Sequence, residues 1–417
     1  MPCLRNLFRC KRKKQRNYEL AAPSLNNNNN NTGPPTPPPA RGASPNSLLA
    51  PVPEEPPFVR LPLDVKVEEE VNPGYKKDTW YHVRIGEVIY ERYLVCTKLG
   101  WGDTSTVWLA RDLRTSRYVS LKVCANPDDQ RLRELDLLLH ITQLYSNHPG
   151  AQNVATLLDH FAVERRGRRY MCLVSDVLGP SLAVRVRSFT RELDIDWLVD
   201  NLYRLLQAVD FLHSEAHIVH GDIWPPNVLC ALPDRKFLED LENLEATEPS
   251  DRKVDGGRII YKSRSVQLPP DLALSSSYLS RIVPVLIDFG NSRLHPDAQD
   301  LEHMRTLREA DSIRADLPHP PQRDIQWIGR LFVGLMEGRV LYKKTNPMTK
   351  TVAEEALKAQ ESNLRALIWR MKNIPVPSKD DSVEATEEAQ DESNNNVLTV
   401  KGLLQDPIFG EKSPNIR

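Results

Sequence analysis

Two short stretches constrain this chain more than anything in its composition. "HGDIWPPNVL", starting at His220, puts a carboxylate at Asp222 and a carboxamide five positions later at Asn227, while "VLIDFG" ends an apolar strand on a second carboxylate, Asp288. Hard oxygen ligands of this kind suit a magnesium ion bridging phosphates, and a carboxylate beside them can orient and deprotonate an attacking hydroxyl. A single Asp in a loop is usually a cap or turn residue. For all three groups to serve one reaction, the fold must bring the loop at Asp222 against the strand end at Asp288.

Upstream residues point to the same chemistry. Gly100 and Gly102 lie in "GWGDTSTV", between two expected strands, where a backbone without side chains can approach phosphates closely. Alone, this signal is better explained by an ordinary hairpin. In "YVSLKVC" the strand period puts Leu121 and Val123 on one face and Lys122 on the other, under the glycine turn. On the helix that follows, Glu134 shares a face with Leu138 and Ile141 and is placed to meet Lys122 as an ion pair.

The coarse pattern changes along the chain. "ERYLVCTKLG", "STVWLARD", "RYVSLKVC", "VATLLDHFAVE" and "RYMCLVSDV" predict strands, and Leu132, Leu135, Leu138 and Leu139 predict a helix among them. Beyond them, Leu198, Leu202, Leu205, Val209 and Leu212 form a long amphipathic stripe and begin a mainly helical half. Residues 1–80 combine a basic start, an asparagine tract and many prolines, and are expected to be a disordered tail. Residues 81–177 then form a β-rich lobe and 178–417 a helical one, with mobile insertions expected at 233–281 and 375–396.

A net charge of -1 gives no global field toward nucleic acid or membrane, so no direct nucleic-acid partner is expected. No apolar run is long enough to span a bilayer. The six cysteines lack zinc-site spacing and read as reduced thiols, so a cytoplasmic or nuclear location, or both, is expected, and "KRKK" reads equally as a solvated basic end or as a signal, either for nuclear import or, with Cys3 and Cys10, for a weak membrane-surface anchor.

The order of these motifs matches the eukaryotic protein kinase signature set. "YHVRIGEVIYERYLVCTKLGWGDTSTVWLARD", "LKV" and "VLGPSL" further resemble the SR-protein kinases, which phosphorylate serines of arginine/serine-rich splicing factors. The resemblance implies an α+β, bilobal protein-kinase-like fold and a monomeric serine/threonine protein kinase using ATP and Mg2+, with a protein substrate of arginine/serine-rich character. It implies that Gly100, Gly102, Ser105 and Val107 cover the nucleotide and that Lys122, paired with Glu134, holds its phosphates. Asp176 and Leu178 would lie in the adenine-binding hinge, with Leu229 completing the nucleotide site. Asp222 would be the catalytic base, Asn227 and Asp288 the metal ligands, and Asp324 a buried brace below the catalytic loop. The 233–281 insertion falls where that family carries a spacer.

The chain departs from the pattern at three places. Trp224 stands where most serine/threonine kinases have a lysine, a loss worth on the order of 3 kcal/mol of transition-state stabilisation, about a hundredfold in rate. Gly221 replaces an arginine, and "HMRTLREADSIRADLPHPPQRDIQ" lacks the Ala-Pro-Glu triplet that seats substrate. Two further readings therefore stand beside the kinase: a pseudokinase scaffold that binds nucleotide or partners, and a small-molecule kinase, whose "HGD" loop does without that lysine.

Overall fold

The structure, a computed structural model, describes residues 57–125, 129–187, 192–232, 234–266, 283–295, 298, 304, 320–337, 339–342, 350–375 and 398–412. Strands β1 (Val88–Ile89), β2 (Tyr93–Gly102), β3 (Ser105–Asp112), β4 (Arg117–Cys124), β5 (Asp159–Arg165) and β6 (Arg168–Ser175) build one antiparallel sheet, in the order β1-β2-β3-β4-β6-β5. Helix α1 (Asp129–Gln143) is inserted between β4 and β5 and buries Leu135, Leu138 and Ile141. Only the second half of "VATLLDHFAVE" is strand, because Val154 instead bridges Leu286 in the other half of the chain.

The strand alternation read from "YVSLKVC" holds. Leu121 and Val123 are buried with Trp108, Tyr93 and Phe161 on one face, while Lys122 looks out from the other. Such a sheet needs cover on its apolar face.

The second half is helical with short paired strands. In chain order these are α2 (Leu182–Arg187), β7 (Glu192–Asp194), α3 (Ile195–Ser214), β8 (Ile218–Val219), β9 (Val228–Cys230), α4 (Lys236–Thr247), β10 (Arg252–Asp255), β11 (Arg258–Tyr261), β12 (Pro284–Leu286), β13 (Arg293–Leu294), α5 (Gln322–Met336), β14 (Val340–Tyr342), α6 (Lys350–Lys372) and α7 (Val400–Leu404). Asp194 caps α3 by accepting from the Asp196 and Trp197 amides at 2.9 and 3.4 Å. The expected stripe of α3 is fully enclosed, and it lies in one large cluster with Ile328, Phe332, Leu364 and Leu403. A helix buried on nearly every side serves as the axis of the lower lobe.

Two expectations of disorder fail within the described residues. The 233–281 insertion carries α4 and the β10–β11 hairpin, and both are seated on the sheet. Leu238 and Leu241 of α4 pack with Cys96 and Leu109, and Tyr261 of β11 joins the Trp108 and Tyr93 cluster. Buried Glu245 accepts from Thr97 Oγ1 at 3.0 Å, the Ser250 amide at 2.9 Å and Arg264 Nε at 2.7 Å. Two of the charged residues that suggested a solvated loop, Glu245 and Lys253, are thus buried ion-pair partners, and apolar residues between them cover the sheet.

Residues 57–80, placed in the tail by composition, also fold. A 3-10 turn at Glu68–Val71 delivers three consecutive carboxylates to separate partners. Glu68 accepts from the Ser263 amide and hydroxyl, Glu69 pairs with Lys98 at 2.5 Å, and Glu70 pairs with Lys253 at 3.0 Å. Lys98, on β2 just before the glycine turn, is 0% exposed and also donates to the Tyr261 carbonyl at 3.1 Å. Residues 1–56 of the tail expected at 1–80, and most of the insertion expected at 375–396, lie outside the described residues. The four described cysteines, Cys96, Cys124, Cys172 and Cys230, are buried thiols.

Removing Glu69 takes the nearer carboxylate from a buried ammonium and leaves it with Glu68 at 3.6 Å and the Tyr261 carbonyl at 3.1 Å, a costly way to break such a pair. Glu69→Ala is expected to lower unfolding free energy by about 3 kcal/mol in a urea titration.

Candidate active site

The glycine turn forms because β2 and β3 pair as far as Gly102 and Ser105, leaving Asp103 and Thr104 as the tip. A Cβ placed on Gly100 would meet nothing within 4 Å, so the backbone there faces open space that a ligand can enter. Val107 lies opposite both Gly100 and Lys122, which puts these groups on the cleft face. The tip is tied from outside, since Asn72 Nδ2 donates to the Asp103 carbonyl at 2.9 Å and to its carboxylate at 3.0 Å.

Lys122 Nζ stands 2.6 Å from Glu134 Oε1 and 3.2 Å from Asp288 Oδ1. Burial alone would lower its pKa, but the two carboxylates outweigh that and raise it well above the usual lysine value. The Lys122 charge in turn holds Asp288 below the usual carboxylate range against the opposing effect of burial. An ammonium fixed between α1 and the lower lobe is positioned to hold phosphate oxygens.

The catalytic-loop geometry starts from a buried carboxylate. Asp324, 0% exposed in the first turn of α5, accepts from the His220 amide at 2.8 Å, the Gly221 amide at 2.7 Å and His213 Nε2 at 2.9 Å. Gly221 has φ +75°, a conformation that suits glycine and lets both amides converge on one side chain. Asn227 Nδ2 then donates to the Asp222 carbonyl at 3.0 Å and to Asp222 Oδ2 at 3.1 Å. Its amide oxygen consequently faces away from Asp222.

Strands β9 and β12 bring the remaining ligand in. Val228 pairs with Leu286, and the Ile287 amide donates to the Asn227 carbonyl at 3.0 Å, so Asn227 and Asp288 follow side by side from one two-stranded ladder. One ionised carboxylate and one amide oxygen, with phosphates to supply the rest, form a donor set that fits Mg2+. Among the sequence-derived residues the structure therefore unites Lys122, Glu134 and Asp288, and Asp222 with Asn227. Leu229 sits on β9, against which Gly179 to Ser181 pair, so the segment after β6 carries Leu178 toward it. Asp176 turns its carboxylate to solvent, 3.2 Å from Arg117. Trp224 is 45% exposed and lines, with Trp327 and Arg330, a cavity of 460 Å³.

Several site residues escaped the sequence reading. Asn72 left no local signal, because its partner is distant in the chain. Arg133, beside Glu134, donates to the Ser292 carbonyl at 2.7 Å, and Asn291 Nδ2 donates to Asp222 Oδ2 at 3.1 Å. Asn291 was within view, three residues after Asp288, but only the fold shows which way it points. In the segment around the missing Ala-Pro-Glu triplet, residues 303 and 305–319 lie outside the described residues.

Residues 93–240 match the protein kinase domain family. A serine/threonine protein kinase of Aspergillus fumigatus is 33% identical over 303 residues, covering 72% of this chain and 72% of that protein. Protein kinase dsk1 of Schizosaccharomyces pombe is 36% identical over 43% of this chain and 34% of its own length. SRSF protein kinase 3 of Mus musculus is 31% identical over 49% of this chain and 37% of its own length.

The Asp324 network carries a pH signature. Burial alone would raise this carboxyl, but the His213 hydrogen bond and charge, the His220 charge and the Gly221 amide outweigh it and depress it. A depressed carboxyl contributes stability that is complete above its unfolded value of about 3.9 and is lost as pH falls through the lower folded value. Asp324→Asn is expected to cost about 2 kcal/mol at pH 7, and its melting temperature should fall less steeply than the parent's between pH 5 and pH 3.

Proposed function

The chain belongs to the serine/threonine protein kinases, and we propose that it moves the γ-phosphoryl group of ATP to protein hydroxyls through the cleft between Lys122 and Asp222. The observation that supports this reading is the single chain of contacts from Glu134 through Lys122 to Asp288, with Asp222 and Asn227 hydrogen-bonded beside it.

In this reading Gly100, Gly102, Ser105 and Val107 form the roof over the nucleotide, and Leu178 and Leu229 bound the adenine end. Lys122 orients the phosphates. Asn227 and Asp288 would hold Mg2+, which when bound would neutralise charge on the phosphate oxygens. Asp222 takes the proton of the substrate hydroxyl as its oxygen bonds to phosphorus and ADP leaves. Glu134 keeps the Lys122 ammonium from folding away from the phosphates.

Trp224 leaves the transferred group without one cation, which slows the step rather than removing any of the groups that perform it. The arginine/serine-rich substrate class belongs to the proposal, motivated by the resemblance of the upper lobe. So do a monomeric state and a cytoplasmic or nuclear location. Among the described residues no helix is long and apolar enough to cross a membrane.

The test is phosphate transfer from labelled ATP to basic and serine-rich proteins with magnesium present. Asp222→Asn is expected to reduce transfer by at least about a thousandfold while retaining the Mg-ATP-induced rise in melting temperature, whereas Lys122→Ala loses both. Transfer unchanged in Asp222→Asn would overturn the assignment. Trp224→Lys is expected to raise kcat by about tenfold, read in the same assay.

A further inference from the structure

Two carboxamides reach the carboxylate of Asp222, and both address the same oxygen. Asn227 Nδ2 lies 3.1 Å from Oδ2 but is shared with the Asp222 carbonyl at 3.0 Å. Asn291 Nδ2 donates to Oδ2 at 3.1 Å from the opposite segment. A carboxylate in a loop rotates about its last bond unless donors hold it, and a general base must present one oxygen to the hydroxyl within a fraction of an ångström.

Asn291 is itself firmly based. It closes the 3-10 turn Phe289–Asn291 that begins directly after Asp288. Phe289 is 0% exposed. The next residue, Ser292, donates its hydroxyl to the His220 carbonyl at 3.0 Å and accepts Arg133 Nη2 from α1 at 2.7 Å. His220 Nε2 meets the Ile287 carbonyl at 3.1 Å. The turn that carries Asp288 is therefore stitched to the loop that carries Asp222 on both sides of Asn291.

We infer that Asn291 is a positioning residue for the phosphoryl transfer, an inference that rests on Asp222 being the base. Its carboxamide and that of Asn227 occupy Oδ2, so Oδ1 is the oxygen turned to the incoming hydroxyl. The same contact couples the metal-binding turn to the base, so that Asp222 is aligned when Asp288 is in place. In a loop where Trp224 supplies no cation to order the reacting groups, alignment of the base rests more heavily on these two amides.

The experiment compares the full chain with Asn291→Ala and with Asn291→Asp, which keeps the shape of the side chain but replaces the donor by a second carboxylate. Asn291→Ala is expected to lower kcat about tenfold and Asn291→Asp about a hundredfold. KM for Mg-ATP, the melting temperature and its rise on adding Mg-ATP should stay at parental values in Asn291→Ala. Transfer by Asn291→Asp within twofold of the parent would overturn the inference. A loss of Mg-ATP stabilisation in Asn291→Ala that matches its loss of activity would overturn it too, by making Asn291 part of the nucleotide site. Asp222→Asn runs alongside: full transfer in that variant would remove the base and its positioning residue together, whereas loss there with normal Asn291 variants rejects the positioning role alone.

Discussion

An ammonium held between two carboxylates ties the two halves of this enzyme together. Lys122 comes from the sheet, Glu134 from α1 and Asp288 from the end of a strand in the other lobe, and the contacts of 2.6 and 3.2 Å leave little freedom for any of them. Because Glu134 is buried and Lys122 only partly exposed, that pair cannot be separated without leaving charge poorly solvated. The strand under the roof, α1 and the start of the turn after Asp288 meet at this contact. On the far side of the catalytic loop, Asp324 does for backbone amides what Glu134 does for Lys122, supplying a fixed charge around which polar groups converge.

The upper sheet depends on parts of the chain that a motif search leaves out. Its apolar face is closed by Val83 and Ile89 from before the first long strand and by Tyr261 from the β10–β11 hairpin. The ion pairs Glu69 with Lys98 and Glu70 with Lys253 and the Thr97 hydrogen bond to Glu245 join the same three regions. The strand that leads into the glycine turn is thus held from its outer side, and Asn72 reaches the tip of the turn itself.

What could be read from the sequence follows from how local each signal is. The α3 stripe and the alternation in β4 are periodic over consecutive residues, so Leu198 to Leu212 and Leu121 to Val123 reveal their faces without a partner. Lys122, Asp222, Asn227 and Asp288 were legible because few chemistries need those groups in that order. The arm at 57–80 and the insertion were misread because their carboxylates look solvated until the distant cations that meet them are known: Lys98 for Glu69, Lys253 for Glu70. Asn291 went unnoticed for a different reason, since its identity says nothing of its direction until the Phe289 turn is folded.

The pairing of Lys98 with both Glu69 and the Tyr261 carbonyl has a consequence for synthesis. On the ribosome, strands β2 to β4 emerge well before the β10–β11 hairpin, and until that hairpin exists Lys98 lacks one of its acceptors and the sheet lacks part of its cover. The first lobe to be translated is consequently still incomplete when its last strand, β6, has emerged. It waits, with an apolar surface open to chaperones, for a segment made only after the helical axis of the second lobe has left the exit tunnel.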